Sequence, residues 1–235
     1  MRKDLSKFVL MMIVFLTLFP EMFSAMNCSI IGRAVENNIV VLNAVNIRDF
    51  SLDKHKRVDD YVFGGGQGLL MAPQPLFDAI DSVKTPRSYV VYVTPSGEPF
   101  TQKIAKELKE KEHLIFVCGH YEGIDQRVID ERVDREISIG DYVLTNGELP
   151  AMVIADAVIR LLPNVLHNED SATNDSFENN LLEHPQYTRP ANFRGLKVPD
   201  VLLSGNHQLV DKWKVENQIE KTKRIRPDLL ERSED

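Results

Sequence analysis

GHYEGID (Gly119 to Asp125) and SIGDYVLTNGELPAM (Ser138 to Met152) are the stretches on which the fold of this chain is decided. Each follows an apolar run that reads as a buried strand, LIFVC (Leu114 to Cys118) in the first case and REISI (Arg135 to Ile139) in the second. Loops at the carboxyl ends of strands are where open α/β sheets place their ligands. A third loop of the same kind, VTPSG (Val93 to Gly97), lies upstream. Glycine lets the main chain approach a ligand closely and offer its amides. One reading is a nucleoside held by main-chain groups, with Ile139 and Leu144 against its ring. The other is three ordinary strand-to-helix turns.

Outward from these loops, strand-like and helix-like runs alternate. NIVVLNAV (Asn38 to Val45) and SYVVYVT (Ser88 to Thr94) read as strands. PQPLFDAIDSV (Pro73 to Val83) reads as a helix with proline in its first turn, and EPFTQKIAKELKE (Glu98 to Glu110) as an amphipathic helix. The alternation predicts an α/β fold with a parallel sheet covered on both faces. AMVIADAVIRLLP (Ala151 to Pro163) is apolar nearly all round, with Asp156 and Arg160 its only charges. It predicts a helix buried on several sides, as at a dimer interface. HNEDSATNDSFENN (His167 to Asn180) is polar and acidic and reads as a mobile linker or lid. After it, Gln208 to Arg224 reads as a basic helix that turns Leu209, Trp213 and Ile219 to a core. The expected plan is a domain over 1–166, a linker over 167–180 and a smaller domain over 181–235.

The amino terminus allows two readings. Arg2, Lys3 and Lys7 precede FVLMMIVFL (Phe8 to Leu16), and Phe23-Ser24-Ala25 follows, in the outline of a signal peptide. The apolar run is too short to span a membrane. Stopped by Pro20, it also reads as a buried parallel strand.

Composition narrows the class. The 235 residues, 43% apolar and 27% charged, are ordinary for a globular protein. Cys28 and Cys118, the only cysteines, form neither a disulfide framework nor a zinc-ligand spacing, which fits a reducing cytoplasm. The net charge of −7 weighs mildly against a nucleic-acid partner. Locally the balance reverses: residues 194–226 carry eight Lys and Arg against four Asp and Glu. Lys54-His55-Lys56-Arg57 form a second basic cluster. Both are compatible with solvated surface or with phosphate contacts. A dinucleotide fingerprint is disfavoured, because in the GGGQG run Leu69 stands where the last glycine of G-x-G-x-x-G belongs, and there is no Walker A sequence.

The motifs taken in order carry more. LFPEMF (Leu18 to Phe23), DFSLDKHKRVDD (Asp49 to Asp60), FGGGQGLLM (Phe63 to Met71), CGHYEGID, SIGDYVLTNGELPAM, ATNDSFENNLLEHPQYTRP (Ala172 to Pro190) and LLSGNH (Leu202 to His207) resemble those of the bacterial tRNA (guanine-37-N1)-methyltransferases, the TrmD family of the knotted SPOUT class. The resemblance runs from about Val14 to Leu230. It favours the strand reading of the amino-terminal run, with Met1 to about Lys7 an extension, or with translation starting at Met11 or Met12.

What the resemblance implies is specific. The fold would be a parallel-sheet domain with a deep trefoil knot, a rare exception to the rule against threaded chains, followed by a small, mostly helical domain. S-adenosyl-L-methionine (AdoMet) would lie bent in the knot, against Thr94, Pro95, Gly119, Tyr121, Glu122, Gly123, Ser138, Ile139, Gly140, Asp141, Tyr142, Val143, Leu144, Gly147 and Pro150. The enzyme would be an obligate homodimer, cytoplasmic and not membrane-bound, with its active site at the subunit interface. It would methylate N1 of guanosine 37 in tRNA. Asp175 in the lid would be the general base and Arg160 the cation for guanine O6. Magnesium is associated with the family, and for Glu122 three roles stand open, AdoMet binding, magnesium coordination or loop structure, although no ligand cluster is visible. Lys54, His55, Arg57, Ser204, His207 and Lys214 are candidate tRNA contacts. His120, Asn146 and Gln67 depart from the family's usual Arg, Gly and Pro, and leave the glycines at 119, 123, 140 and 147 in place. Methylation of ribose or ribosomal RNA, and RNA binding without catalysis, are the competing readings.

Overall fold

The computed structural model describes residues 10–166, 176–177 and 179–231. The expected extension at 1–7 and most of the expected linker, Asp175 included, lie outside the described residues. The chain divides into two compact units between His167 and Asn168.

The first unit contains β1 (Met11–Thr17), α1 (Ser29–Glu36), β2 (Val40–Asn46), β3 (Asp59–Tyr61), β4 (Leu69–Met71), α2 (Pro73–Val83), β5 (Ser88–Pro99), α3 (Gln102–Leu108), β6 (His113–Cys118), α4 (Gln126–Arg132), β7 (Arg135–Ser138) and α5 (Glu148–Ile159). Five of the strands form one sheet in the order β2-β1-β6-β5-β7. Every neighbouring pair in it is parallel. β3 and β4 make a separate antiparallel hairpin. The apolar run of the amino terminus is thus a central strand, with β2 on one side and β6 on the other.

The period of two along each strand sorts the core into two layers. Ile13, Phe15, Val91, Val93, Leu114, Phe116 and Cys118 face one way, onto α1, α3 and α5. Val14, Leu16, Val90, Tyr92, Ile115 and Val117 face the other way, onto α2 and α4. All six residues of β6 are buried, as befits a strand covered on both faces. Ring stacking of Phe15 on Phe23 (4.2 Å between centroids) packs the LFPEMF segment onto the first layer. Each fully buried Phe or Ile of this kind contributes about 1.5–3 kcal/mol relative to exposure.

Three elements differ from the sequence reading. The helix expected from Glu98 begins only at Gln102, capped by Thr101 Oγ1, which accepts from the Ile104 amide (3.3 Å). β5 instead continues through the prolines to Pro99, and its register on β7 shifts between Val93 and Glu98. The cause is contact: a Cβ at Gly97 would lie 2.5 Å from the Ile137 nitrogen, so the segment is pressed flat on β7. α5 starts earlier than expected, at Glu148, and takes Pro150 into its first turn, where proline is tolerated. It buries one face only; Leu149 (47%) and Val153 (50%) on it stay exposed.

Glu148, the first residue of α5, is fully buried. Its Oε1 accepts a 2.6 Å hydrogen bond from Thr17 Oγ1 at the end of β1, while Oε2 has no hydrogen-bond partner among the described residues. Thr17 Oγ1 in turn accepts from the Phe19 amide (2.8 Å), so one hydroxyl joins β1, α5 and the LFPEMF segment. Immediately before Glu148, the Gly147 amide donates to the Gly119 carbonyl (2.9 Å). A Cβ on Gly147 would stand 2.8 Å from the Cys118 Cα, the Gly119 nitrogen and Val93 Cγ2.

The second unit holds a hairpin of β8 (Asn192–Phe193) and β9 (Leu196–Lys197), then α6 (Asp200–Leu203) and α7 (His207–Ile225). Its buried residues differ from the expected set. Leu209 is exposed and Trp213 and Ile219 are half-buried, whereas Leu182, Thr222 and Leu229 are buried. Thr222 Oγ1 accepts from the Leu182 amide (2.9 Å) and donates to the Gln218 carbonyl (2.7 Å). Trp213 packs instead against the rings of His184 and Tyr187. No described helix is long and apolar enough to cross a membrane.

Two outcomes follow from this packing. Gly147→Ala must push apart backbone atoms that cannot yield, so we expect a loss of about 1–3 kcal/mol in urea unfolding; an unchanged midpoint would show that the loop relaxes freely. Burial pushes the Cys118 thiol well up and closes it to reagents, whereas Cys28 is exposed. Native alkylation followed by peptide mapping should therefore spare Cys118, and urea should release it.

Candidate active site

The glycine-punctuated loops that follow β6 and β7 converge on VTPSG, which the structure places inside β5 and not in a loop of its own. Together they line a pocket of about 210 Å³ that opens to solvent. Of the residues that the sequence reading assigned to a cofactor, Thr94, Pro95, Gly119, Tyr121, Glu122, Gly123, Ser138, Ile139, Gly140, Tyr142, Val143, Leu144, Gly147 and Pro150 all line this pocket. Asp141 is exposed and does not line it.

Local geometry explains the loop sequence. Gly123 (φ 119°) and Gly140 (φ 153°) adopt conformations that side chains disfavour. A Cβ at Gly140 would meet the Tyr142 ring at 2.5 Å, and one at Gly119 would meet the Tyr92 ring at 3.0 Å. Ser138 Oγ donates to the Gly140 carbonyl (3.0 Å) and accepts from the Gly140 amide (3.2 Å), which ties the turn to the end of β7. The result is a concave surface in which four glycines, Gly119, Gly123, Gly140 and Gly147, present no side chain, with Tyr142 and Val143 exposed at its rim.

Sequence reasoning missed part of the lining: Tyr92, Val93, His120, Ile137, Thr145 and Asn146. Tyr92 read as one more residue of a buried strand, and the period of two could have shown that it points opposite to Val91 and Val93. Burial pushes its phenol above the ordinary range, with a hydrogen bond to Thr94 acting the other way. His120 and Asn146 read only as departures from a family pattern. His120 Nδ1 and Asn146 Oδ1 are buried with no hydrogen-bond partner among the described residues. Both side chains lean on the LFPEMF segment: His120 packs 5.5 Å from the Phe19 ring, and Asn146 Nδ2 lies 3.8 Å from Met22 Sδ.

These features fit a bound nucleoside cofactor. Main-chain groups are accessible because side chains are absent, apolar Ile139 and Leu144 are at hand, and two buried polar atoms await partners. Metal is a different matter. Among the described residues no group of three or more His, Cys, Asp or Glu could hold an ion.

The remaining candidates lie elsewhere. Arg160 caps the carboxyl end of α5 and lines a separate groove with Asp156, Met152 and residues 25, 26 and 28–31. Lys54, His55 and Arg57 are exposed on the turn before β3. Arg57 is not fully at liberty there: its guanidinium bonds the Asp53 carboxylate (2.9 Å) and holds that carboxyl far below its usual range. Ser204 is exposed and donates to the Val201 carbonyl (2.7 Å). His207 opens α7, and Lys214 on the same helix lies 3.8 Å from Asp211.

Comparison with known proteins places the chain in a family. The family model described as tRNA (Guanine-1)-methyltransferase TrmD matches residues 11–232. A tRNA (guanine-N(1)-)-methyltransferase of Ruminiclostridium cellulolyticum is 56% identical over 219 residues, 92% of this chain and 94% of the relative. The proteins of the same name from Halalkalibacterium halodurans and Bacillus cereus are 57% and 55% identical, over 94% and 95% of this chain and 92% and 93% of theirs. With its parallel sheet, its three-loop pocket and this likeness along nearly its whole length, the chain belongs to the tRNA (guanine-1)-methyltransferase TrmD family of enzymes.

Proposed function

We propose that this enzyme transfers the methyl group of AdoMet to N1 of guanosine 37 in tRNA, immediately 3′ of the anticodon. The observation that carries the proposal is the three-loop pocket, a main-chain cradle in a chain of this family. In this reading Gly119, Gly123, Gly140 and Gly147 leave room for AdoMet, Thr94, Pro95, Tyr121, Ser138 and Pro150 border it, and Ile139 and Leu144 cover its ring. When bound, AdoMet supplies a methyl group on a positively charged sulfur.

The chain's own task is to prepare the acceptor. Guanine N1 carries a proton and is a poor nucleophile while it keeps it. The Asp175 carboxylate removes that proton, and the negative charge that develops on guanine O6 is met by the Arg160 guanidinium. Arg160 does not line the cofactor pocket of its own chain. A homodimer reconciles the two: a pocket from one subunit would work with Arg160 and Asp175 of the other. Exposed Val153, which lines the groove that holds Arg160, and exposed Leu149 one turn earlier on α5 favour such an interface. We read the three-loop region as a trefoil knot, a reading supported by the seating of Gly147 against Cys118 and Gly119. Residues 181–235 would serve as a tRNA-binding domain. Ser204, His207 and Lys214, together with Lys54, His55 and Arg57, would touch phosphates and set affinity. The cytoplasm, where tRNA resides, would be the working compartment.

Labelled AdoMet offered with two tRNA transcripts, guanosine or adenosine at position 37, tests the reading directly. Label should enter the first transcript alone; entry into both would move the target elsewhere. Asp175→Ala should lower turnover at least about 100-fold, the scale of a general base, while AdoMet affinity stays nearly unchanged. Wild-type turnover in that variant would remove Asp175 from the mechanism.

A further inference from the structure

The hairpin of β3 and β4 stands apart from the main sheet, yet it is laced to the cofactor pocket. The Glu122 amide donates to the Leu69 carbonyl (3.0 Å), the Met71 amide to the Gly123 carbonyl (3.0 Å) and the Asp125 amide to the Met71 carbonyl (3.1 Å). Met71 and Ile124 form a parallel bridge in the middle of this ladder. One wall of the pocket is therefore held by β4. The glycine-rich run 64–68 leads directly into that strand.

The glycines of the run are not equivalent. Gly65 has a left-handed backbone (φ 79°), and a Cβ on it would find nothing within 4 Å. Gly68 also has a left-handed backbone (φ 92°), but a Cβ there would lie 2.5 Å from Glu122 Cγ and Oε1 and 2.8 Å from Cδ. The space that a side chain at 68 would need is filled by the side chain of Glu122, which lines the pocket.

We propose that Gly68 is a positioning residue: it forms the seat on which the Glu122 side chain rests, and so sets where that carboxylate stands in the cofactor pocket. The inference rests on the reading of the three-loop pocket as the AdoMet site. Its physical basis is an asymmetry of stiffness. A methyl group at 68 meets only the far end of a flexible side chain, so the Glu122 carboxylate gives way while the backbone ladder keeps β4 and the loop in register. Gly68→Ala thus displaces one functional group without dismantling the wall that carries it.

Gly65→Ala separates strain from displacement, since it carries the unfavourable φ without the clash. Glu122→Ala removes all three atoms that the new methyl would meet, so the double variant Gly68→Ala/Glu122→Ala should regain whatever stability the clash costs. In the full-length chain we would measure AdoMet affinity by calorimetry, the kcat and KM of methyl transfer, and the thermal midpoint. A carboxylate shifted by about an ångström is expected to cost on the order of ten- to a hundred-fold in AdoMet affinity or turnover. Gly68→Ala should show this loss and Glu122→Ala a similar one. The double variant should be no worse than Glu122→Ala alone. Gly65→Ala should stay within about two-fold of wild type, as for surface positions. Additive losses in the double variant, or a Gly68→Ala that behaves like Gly65→Ala, would overturn the seat while leaving the pocket reading intact. A wild-type chain that binds no AdoMet would overturn the pocket reading and the role of the seat together.

Discussion

The approach of Gly147 to the end of β6 is the contact on which the site depends. Its amide bonds the Gly119 carbonyl at 2.9 Å, and there is no room between it and Cys118 for even a methyl group. This single closure brings the loop after β7 back across the loop after β6. It also delivers Glu148 into the protein interior, where Thr17 meets it. A buried carboxylate needs hydrogen-bond partners, and among the described residues this one has a single bond for two oxygens. The start of α5 is thus fixed from two sides, by a steric limit and by a polar bond. The pocket lies between the segments that this closure draws together.

Much of this was legible in the chain. Short continuous apolar runs in β1, β5 and β6 and the strand–helix alternation led to a parallel sheet covered on both faces, and the glycine-punctuated segments led to the pocket. The misses have identifiable physical causes. VTPSGEP reads as strand, turn and helix start, but contact with β7 keeps it extended to Pro99. That contact joins residues 97 and 137, and no local window contains both. Glu148 looked like one polar residue in a loop, because its burial depends on Thr17, 131 positions away. In α7, Leu209 seemed destined for a core by its type, yet the buried position is Thr222, whose hydroxyl satisfies the Leu182 amide. Tyr92 was visible as a strand residue but not as the ring beneath Gly119 and Gly123, since that role belongs to the glycines' neighbours in space.

The helix that looked apolar all round illustrates a further limit of single-chain reasoning. α5 buries Ala151, Ile154, Ala155, Val158 and Ile159 against the sheet, which accounts for half of its character. Leu149 and Val153 remain exposed, and Val153 lines the groove that holds Arg160. Hydrophobicity in excess of what one core requires is information about a second surface. Here it coincides with a charged residue that stands outside the pocket of its own chain, and the two observations support the same symmetric arrangement.

The makeup of the pocket wall bears on how this protein can change over time. Where a ligand meets side chains, a single codon change can reshape the contact. Here much of the wall is main chain, exposed because Gly119, Gly140 and Gly147 cannot accept a larger residue without colliding with Tyr92, Tyr142 or the end of β6. The departures at His120, Asn146 and Gln67 spare every one of those positions. A compound shaped to this wall would therefore address a surface with little room for substitution. Resistance to it would have to arise from the rim, where Tyr142 and Val143 are exposed, and much less readily from the floor.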